Sequence, residues 1–511
     1  MRILNKSIWI AVFILTTALL IFANHAQILT PSYAIGDAAA NSLLILDAKF
    51  FHLWVGNYSR LGFNHPGPAI LYVLAGGEAL FYDCLQLVKT PLSGQFIAVA
   101  FYNAFWISLL GVLFFRLFSS KSAAILSFSV FLFVTSLIKD VFFTDLWFPY
   151  LYFFPFSVAL LSFARFSEGK TDSLVFLALA CGFLFNGHVC FVPILGILFI
   201  SSIAYNFVSR KNKPHLRILS AHFWKKHKKN IFLCFGIFFI FCVPLIVETW
   251  QHFPGPIPQY LQFSAEHKPN TFAQSMQYVC VYWGGLVPML IGLLASWFAF
   301  RVSHENKDGI RSIFAAIFYT TLAALIYAKF GIDKMNESYM EFFYYSVPAL
   351  LAATLSALIW EQLQSKSPQW ISVFLSITIL FVCFQKLNFS SIETNAEESF
   401  PQNHYLTDVY HQIKIHQHNG RLVLDLNNLG LWMPISGVAL IAKRTGDNYE
   451  SFCINKGWQV LYTLKAKCTP ADLLSGNRYS VTFSKSKEEL SDEDFQVDRF
   501  LFRSYHSQSY S

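Results

Sequence analysis

Acids, histidines and one arginine stand in the gaps between long apolar runs of this 511-residue chain. The first gap holds Gly36-Asp37, then Asp47 and Lys49, then the string Asn57-Tyr58-Ser59-Arg60-Leu61-Gly62-Phe63-Asn64-His65-Pro66-Gly67-Pro68. A second holds Asp140 and Asp145 with Trp147 and Pro149, and a third is the short Asn186-Gly187-His188. The fourth runs from Glu248 through Pro254-Gly255-Pro256-Ile257-Pro258 to Gln274. Carboxylates and imidazoles exchange protons or hold metal, and a guanidinium grips phosphate. Gathered at one water–lipid boundary, such groups suit acid/base or metal chemistry on a substrate carried in lipid.

Each group also has a plainer reading. Trp54, Trp147 and Trp250 stand near run ends, where tryptophan anchors a span at the interface. Asp37 precedes an alanine-rich stretch and reads equally as a helix N-cap. His188 reads equally as a turn residue bonded to a carbonyl, and Pro66 and Pro68 as the opening of a helix.

The elements that must position these residues are set by composition. Hydrophobic residues make up 55% and charged residues only 13% of the chain, against about a quarter charged in a soluble protein. The apolar residues fall in runs of about 18 to 22, enough to cross the bilayer core as α-helices whose backbone bonds are satisfied internally. Spans are expected at 8–27, 95–116, 122–138, 148–165, 172–186, 188–208, 230–249, 277–300, 311–331, 342–361 and 370–387, which makes a polytopic helical membrane protein of about 11 transmembrane helices. The run from Ser7 is too long for the core of a signal peptide. Most phenylalanines of these spans are expected to face lipid.

Gly67 to Val88 is apolar but carries Gly76-Gly77-Glu78 at its middle, and a charge at bilayer depth is costly. Leaving it out as a span puts about eighteen basic residues on the N-terminal side of the membrane and roughly seven on the other, as the positive-inside rule requires. It therefore reads as a juxtamembrane or partly inserted helix on the outer face. The N-terminus is then cytoplasmic and the C-terminal region external. The +8 charge is sorted by membrane side, without a basic patch on a folded domain, so no nucleic-acid partner is implied.

Residues 1–388 form the transmembrane module, with 28–94 as its large outer loop, and 389–511 a small α/β extracytoplasmic domain. Strands are expected at Arg421–Leu426, Val438–Ala442 and Tyr479–Phe483, separated by turn signals, with a frayed tail after Ser491. Cys453 and Cys468 are the two cysteines of this domain. An external location permits a disulfide between them, and two unrelated buried thiols are the other reading.

The order of elements resembles the GT-C superfamily of membrane glycosyltransferases, which includes protein mannosyltransferases and aminoarabinose transferases. The resemblance rests on Gly36-Asp37 soon after the first span, on His65-Pro66-Gly67-Pro68 leading a juxtamembrane helix, and on Asp145 with Trp147 and Pro149 in the second outer loop. It covers residues 1 to 280, and the later spans by topology. Gly67, and the want of an Asp-Glu pair at 37 and 38, depart from the mannosyl and aminoarabinose families. The resemblance implies inverting transfer of a sugar from a polyprenyl-phosphate donor to an envelope glycan, lipid or protein. Asp37 is then the base or acceptor-positioning group, and Asp145 helps hold an acceptor or, with Asp37, a divalent cation. Arg60, His65 and His188 are phosphate-binding candidates, with Tyr58, Asn64 and Glu248 as further substrate-binding residues. The competing class is a transporter or flippase of a lipid-linked glycan, which performs no covalent chemistry and places charged residues on broken helices at the bilayer midplane.

Overall fold

The computed structural model describes the chain outside residues 1, 212–216, 304–307, 364–367, 398–404, 418–419, 457–464, 475–476, 485–489, 492 and 506–511. Two compact units emerge. Met1–His25 and Phe96–Glu393 make the first, Ala26–Gln95 and Thr394–Ser511 the second. Residues 28–94, read from sequence as the large outer loop of the transmembrane module, cluster here with the C-terminal segment.

The first unit is helical. Among the described residues eight helices are long and apolar enough to span a bilayer: Pro91–Leu117, Lys121–Ile138, Phe148–Ser167, Phe191–Ser209, Ala221–Gln251, Gly309–Phe330, Ser338–Leu363 and Gln369–Leu387. A ninth is reached if Phe272–Val281 and Leu286–Val302, bent by 81° at their junction, count as one. The count of eleven requires two shorter apolar helices, Trp9–Ala23 and Leu174–Gly187. Polar residues start several of these helices, because the first turn leaves backbone N–H groups unpaired. Ser120 accepts from Ala123 N, Ser220 from Phe223 N, and Thr271 forms a capping box with Gln274.

The phenylalanines divide between two environments. Phe153, Phe154, Phe156 and Phe163 are fully buried with the rest of their helix, whereas Phe232, Phe235 and Phe239 of Ala221–Gln251 are exposed. At one end of the bundle Arg165 binds Asp172 (Nε–Oδ1 3.1 Å) and the backbone carbonyl of Arg116, while Lys170 pairs with Glu168. Basic residues expected on one membrane side therefore meet one another. The chain is a multi-pass helical membrane protein.

In the second unit, helix Gly36–Ala48 leads to an irregular stretch, then to helix Ala69–Gly77 and a π-helical turn Glu78–Cys84. This stretch is not among the candidate spans. The C-terminal part carries a five-stranded sheet of order β2-β1-β3-β5-β4, with β1 Leu422–Leu426, β2 Phe452–Lys456, β3 Arg478–Phe483, β4 Phe495–Val497 and β5 Phe500–Ser504. β1 runs parallel to β2 and β3, and β5 antiparallel to β3 and β4.

Two expectations fail here. Val438–Ala442 lies within a helix, Trp432–Arg444, which buries Ile435, Val438, Ala439 and Ala442. A five-residue apolar run does not by itself separate strand from helix, and the spacing of three and four residues decides it. Of the tail after Ser491, the described residues 493–505 are not frayed, for β4 and β5 lie in them and close the sheet, while 492 and 506–511 lie outside the described residues. Cys453 on β2 is bonded to Cys468, with an S–S distance of 2.06 Å.

Candidate active site

Asp37 lies in the first turn of Gly36–Ala48, but it does not cap that helix. The N-cap is Ile35, which makes no side-chain cap bond. Asp37 Oδ1 instead accepts a hydrogen bond from the Tyr58 hydroxyl. Gly36 has φ +54°, a conformation that disfavours any side chain, and the start of the helix is pressed against Trp432–Arg444. Ser436 Oγ is 3.3 Å from Gly36 O, and a Cβ on Gly437 would stand 2.8 Å from Ala34 O. The helix that carries Asp37 is thus seated on the C-terminal domain.

Tyr58 belongs to a short hairpin. Gly56 N donates to His65 O (2.8 Å), His65 N to Asn57 O (2.9 Å) and Ser59 N to Phe63 O (2.7 Å), and Tyr58 pairs with Asn64 across it. Gly62 at φ +87° closes the turn, with Arg60 at its tip. Asn64 Nδ2 donates to Gly56 O (3.1 Å), and His65 is 3% exposed, its ring edge-on to Phe63. Asp37, Tyr58 and Asn64 are therefore linked in one assembly that also holds Arg60 and His65.

Sequence reasoning missed the group that braces this assembly. Glu78, fully buried, receives Arg444 through its two terminal guanidinium nitrogens, Nη1 and Nη2 (2.9 and 3.0 Å), Lys49 Nζ (3.1 Å) and Gln95 Nε2 (2.8 Å). Burial opposes ionisation, yet Arg444, Gln95 and Lys49 together outweigh it and hold the Glu78 carboxyl below its usual range. Lys443 Nζ adds a bond to Asp47 (2.8 Å). The oddity of Glu78 in an apolar run was visible, but its main partner is 366 residues away.

Asp145, His188 and Glu248 belong to the first unit. Asp145 Oδ1 accepts from Trp147 N (2.7 Å), and Trp147 packs on Tyr150 and Tyr339. Rings continue from Trp147 to Phe342, and from Phe343 through Phe191 and Tyr152 to His188. His188 Nδ1 accepts from Cys190 N at 3.1 Å. That bond leaves the imidazole proton on Nε2, so of the cationic and donor roles expected for His188 the donor role is the one this tautomer serves. Glu248 Oε1 is engaged by His252 Nδ1 (3.0 Å) at the end of its helix.

Asp37 and Asp145 fall in different units. Among the described residues no three His, Cys, Asp or Glu side chains gather as a metal site would require.

No family model matches the sequence, and no curated protein matches it. Among solved structures, the crystal structure of ArnT from Cupriavidus metallidurans bound to undecaprenyl phosphate matches with a TM-score of 0.54 at 12% identity, covering 97% of this chain and 97% of that one. The likeness is one of fold over nearly the full length of both chains. The chain shares the fold of ArnT, and in it a helical membrane segment is followed by a small sheet-bearing region.

Proposed function

We propose that this chain, built on the fold of ArnT, is a bacterial inner-membrane glycosyltransferase that moves a sugar from a polyprenyl-phosphate carrier to a cell-envelope glycan, lipid or protein. The observation that carries the reading is the bond between the Tyr58 hydroxyl and Asp37, which orients a carboxylate beside an arginine-tipped hairpin. Its setting is a fold shared with a protein that binds undecaprenyl phosphate.

Asp37 takes the proton of an acceptor hydroxyl as that oxygen attacks the anomeric carbon, and the bond from carbon to phosphate breaks on the opposite face, which inverts the centre. The departing polyprenyl phosphate carries the negative charge, and Arg60 with His65 stabilises it. Tyr58 and Asn64 hold the geometry, and Asp145 and His188 remain the polar substrate-binding groups of the membrane unit. The N-terminus is cytoplasmic, and residues 389–511 with the loop 28–94 are extracytoplasmic.

The competing reading, transport of a lipid-linked glycan without covalent chemistry, draws on the bent pair Phe272–Val281 and Leu286–Val302. A structure determined in lipid nanodiscs with added polyprenyl phosphate separates the two. Phosphate density at Arg60 and His65 is expected. A continuous glycan path between the leaflets, with no phosphate at the hairpin, would favour transport.

A further inference from the structure

Two interruptions in the helices of the first unit meet around one carboxyl group. The first is the 81° bend between Phe272–Val281 and Leu286–Val302, where Gly284 and Gly285 have φ of +77° and +127°. The second lies at Glu341, whose φ of −122° and ψ of 26° break the helical turn Ser338–Tyr345 ahead of helix Ser346–Leu363. Side chains join the two breaks directly. Tyr278 OH donates to Glu337 O (3.0 Å), Tyr282 OH to Ser338 O (2.6 Å), and Trp283 Nε1 to Tyr344 OH (3.1 Å).

Glu341 is fully buried, and neither carboxyl oxygen has a hydrogen-bond partner among the described residues. Ser346 Oγ, five residues on, is buried and unpartnered as well. The groups within range of the Glu341 charge are Tyr278 and Tyr282 from one element, Tyr327 from another, Cys190 from a third, and Tyr344 on its own segment. None is a cation. The nearby Lys139 stands over the rings of Phe342 and Tyr150, and Glu337 pairs with Lys334 and Tyr339.

The hydroxyl protons of Tyr278, Tyr282 and Tyr344 are committed to Glu337 O, Ser338 O and Thr321 Oγ1. Their oxygens keep lone pairs and have no further proton to give to a neighbouring carboxyl. A buried carboxylate without a counter-charge is too costly to persist, so it takes up a cation. Hard oxygen ligands at broken helices are the usual surroundings of sodium or a proton. The charge count selects a monovalent ion, because a divalent one lacks the further carboxylates it needs.

We infer that Glu341 is the anionic centre of a binding site for a monovalent inorganic cation, sodium or a proton, which ties the two helix breaks together. The inference does not depend on the transfer reading, since it is tested by stability and not by turnover.

Thermal unfolding of the full chain in nanodiscs, followed by tryptophan fluorescence, is measured while sodium chloride replaces choline chloride at constant ionic strength, at mildly acidic and mildly basic pH. If sodium is the ligand, the wild-type Tm rises saturably with sodium, more at the higher pH, and the rise is lost in Glu341→Gln. If a proton is the ligand, Tm in choline falls as pH rises, sodium does not restore it, and the fall is lost in Glu341→Gln. Wild type and Glu341→Gln responding alike to both variables overturns the inference. Should Glu341→Gln fail to fold, Glu341→Asp withdraws the carboxyl by one methylene and must shift the sodium or pH midpoint; an unchanged midpoint overturns it equally.

Discussion

Asp37 and Tyr58 are 21 residues apart, close enough for both to be read as one outer-loop cluster, and their hydrogen bond makes that cluster specific. The N-cap reading of Asp37 does not hold, because Ile35 occupies that position. Asp37→Asn is therefore expected to leave insertion and melting unchanged while lowering turnover by about two to four orders of magnitude, as loss of a general base does. Tyr58→Phe removes one bond to a charged group, of order 1.5–3 kcal/mol. It should lower kcat about tenfold or more and lower Tm by a few degrees, the protein remaining folded. A Tyr58→Phe enzyme as fast as wild type would mean that the hydroxyl does not orient the carboxylate. Residue types were legible in this loop because chemistry-bearing side chains are rare in an apolar chain. Protonation was not: the tautomer of His188 follows from a backbone N–H two residues on, which no spacing announces.

Among elements, long helices were the easiest to read, since twenty apolar residues admit few other structures in lipid. Short apolar runs were the hardest. Val438–Ala442 reads as a strand until Ile435 and Trp432 extend it into a helix, and that helix proves to be the one on which the Asp37 helix rests. Its last residue, Arg444, is fixed by Glu78, so removing Arg444 takes away the main partner of a buried carboxyl and leaves only Lys49 and Gln95 to hold it. Arg444→Met should cost up to about 3 kcal/mol, the low end for a broken buried pair because Lys49 and Gln95 remain, seen as a lower Tm. Adding Glu78→Leu should recover much of that loss, and a double variant no more stable than the single would show that the pair is not the cause. Acid acts on the same braces. The folded-state carboxyls of Glu78 and Asp425 are depressed: burial opposes this, but Arg444, Gln95 and Lys49 prevail at Glu78, and Tyr505, Asn455 and Arg478 at Asp425. A depressed pKa contributes stability that is present above the unfolded value and lost as pH falls through the folded one. Melting of the second unit should therefore hold at neutral pH and decline below about pH 4. Substituting both carboxyls by their amides should flatten that decline.

For the whole molecule, composition announced a membrane protein and the order of motifs announced its architecture, since both are distributed along the entire chain. The division into units was not legible, because residues 26–95 and 394–511 join through contacts that cross the intervening spans in sequence. The topology proposed from charge bias is checked by impermeant thiol labelling in a Cys84→Ser background. A cysteine at Lys414 should react from outside and one at Lys225 should not, and the reverse pattern would invert the orientation. The transferase reading itself meets its most direct test in proteoliposomes holding purified protein, a polyprenyl-phosphate-linked sugar and envelope extract as acceptor, with carrier and product followed by mass spectrometry. The account predicts free polyprenyl phosphate released in step with a newly glycosylated acceptor, both abolished by Asp37→Asn. Carrier that crosses the bilayer with its sugar still attached, at the same rate in wild type and Asp37→Asn, would contradict it.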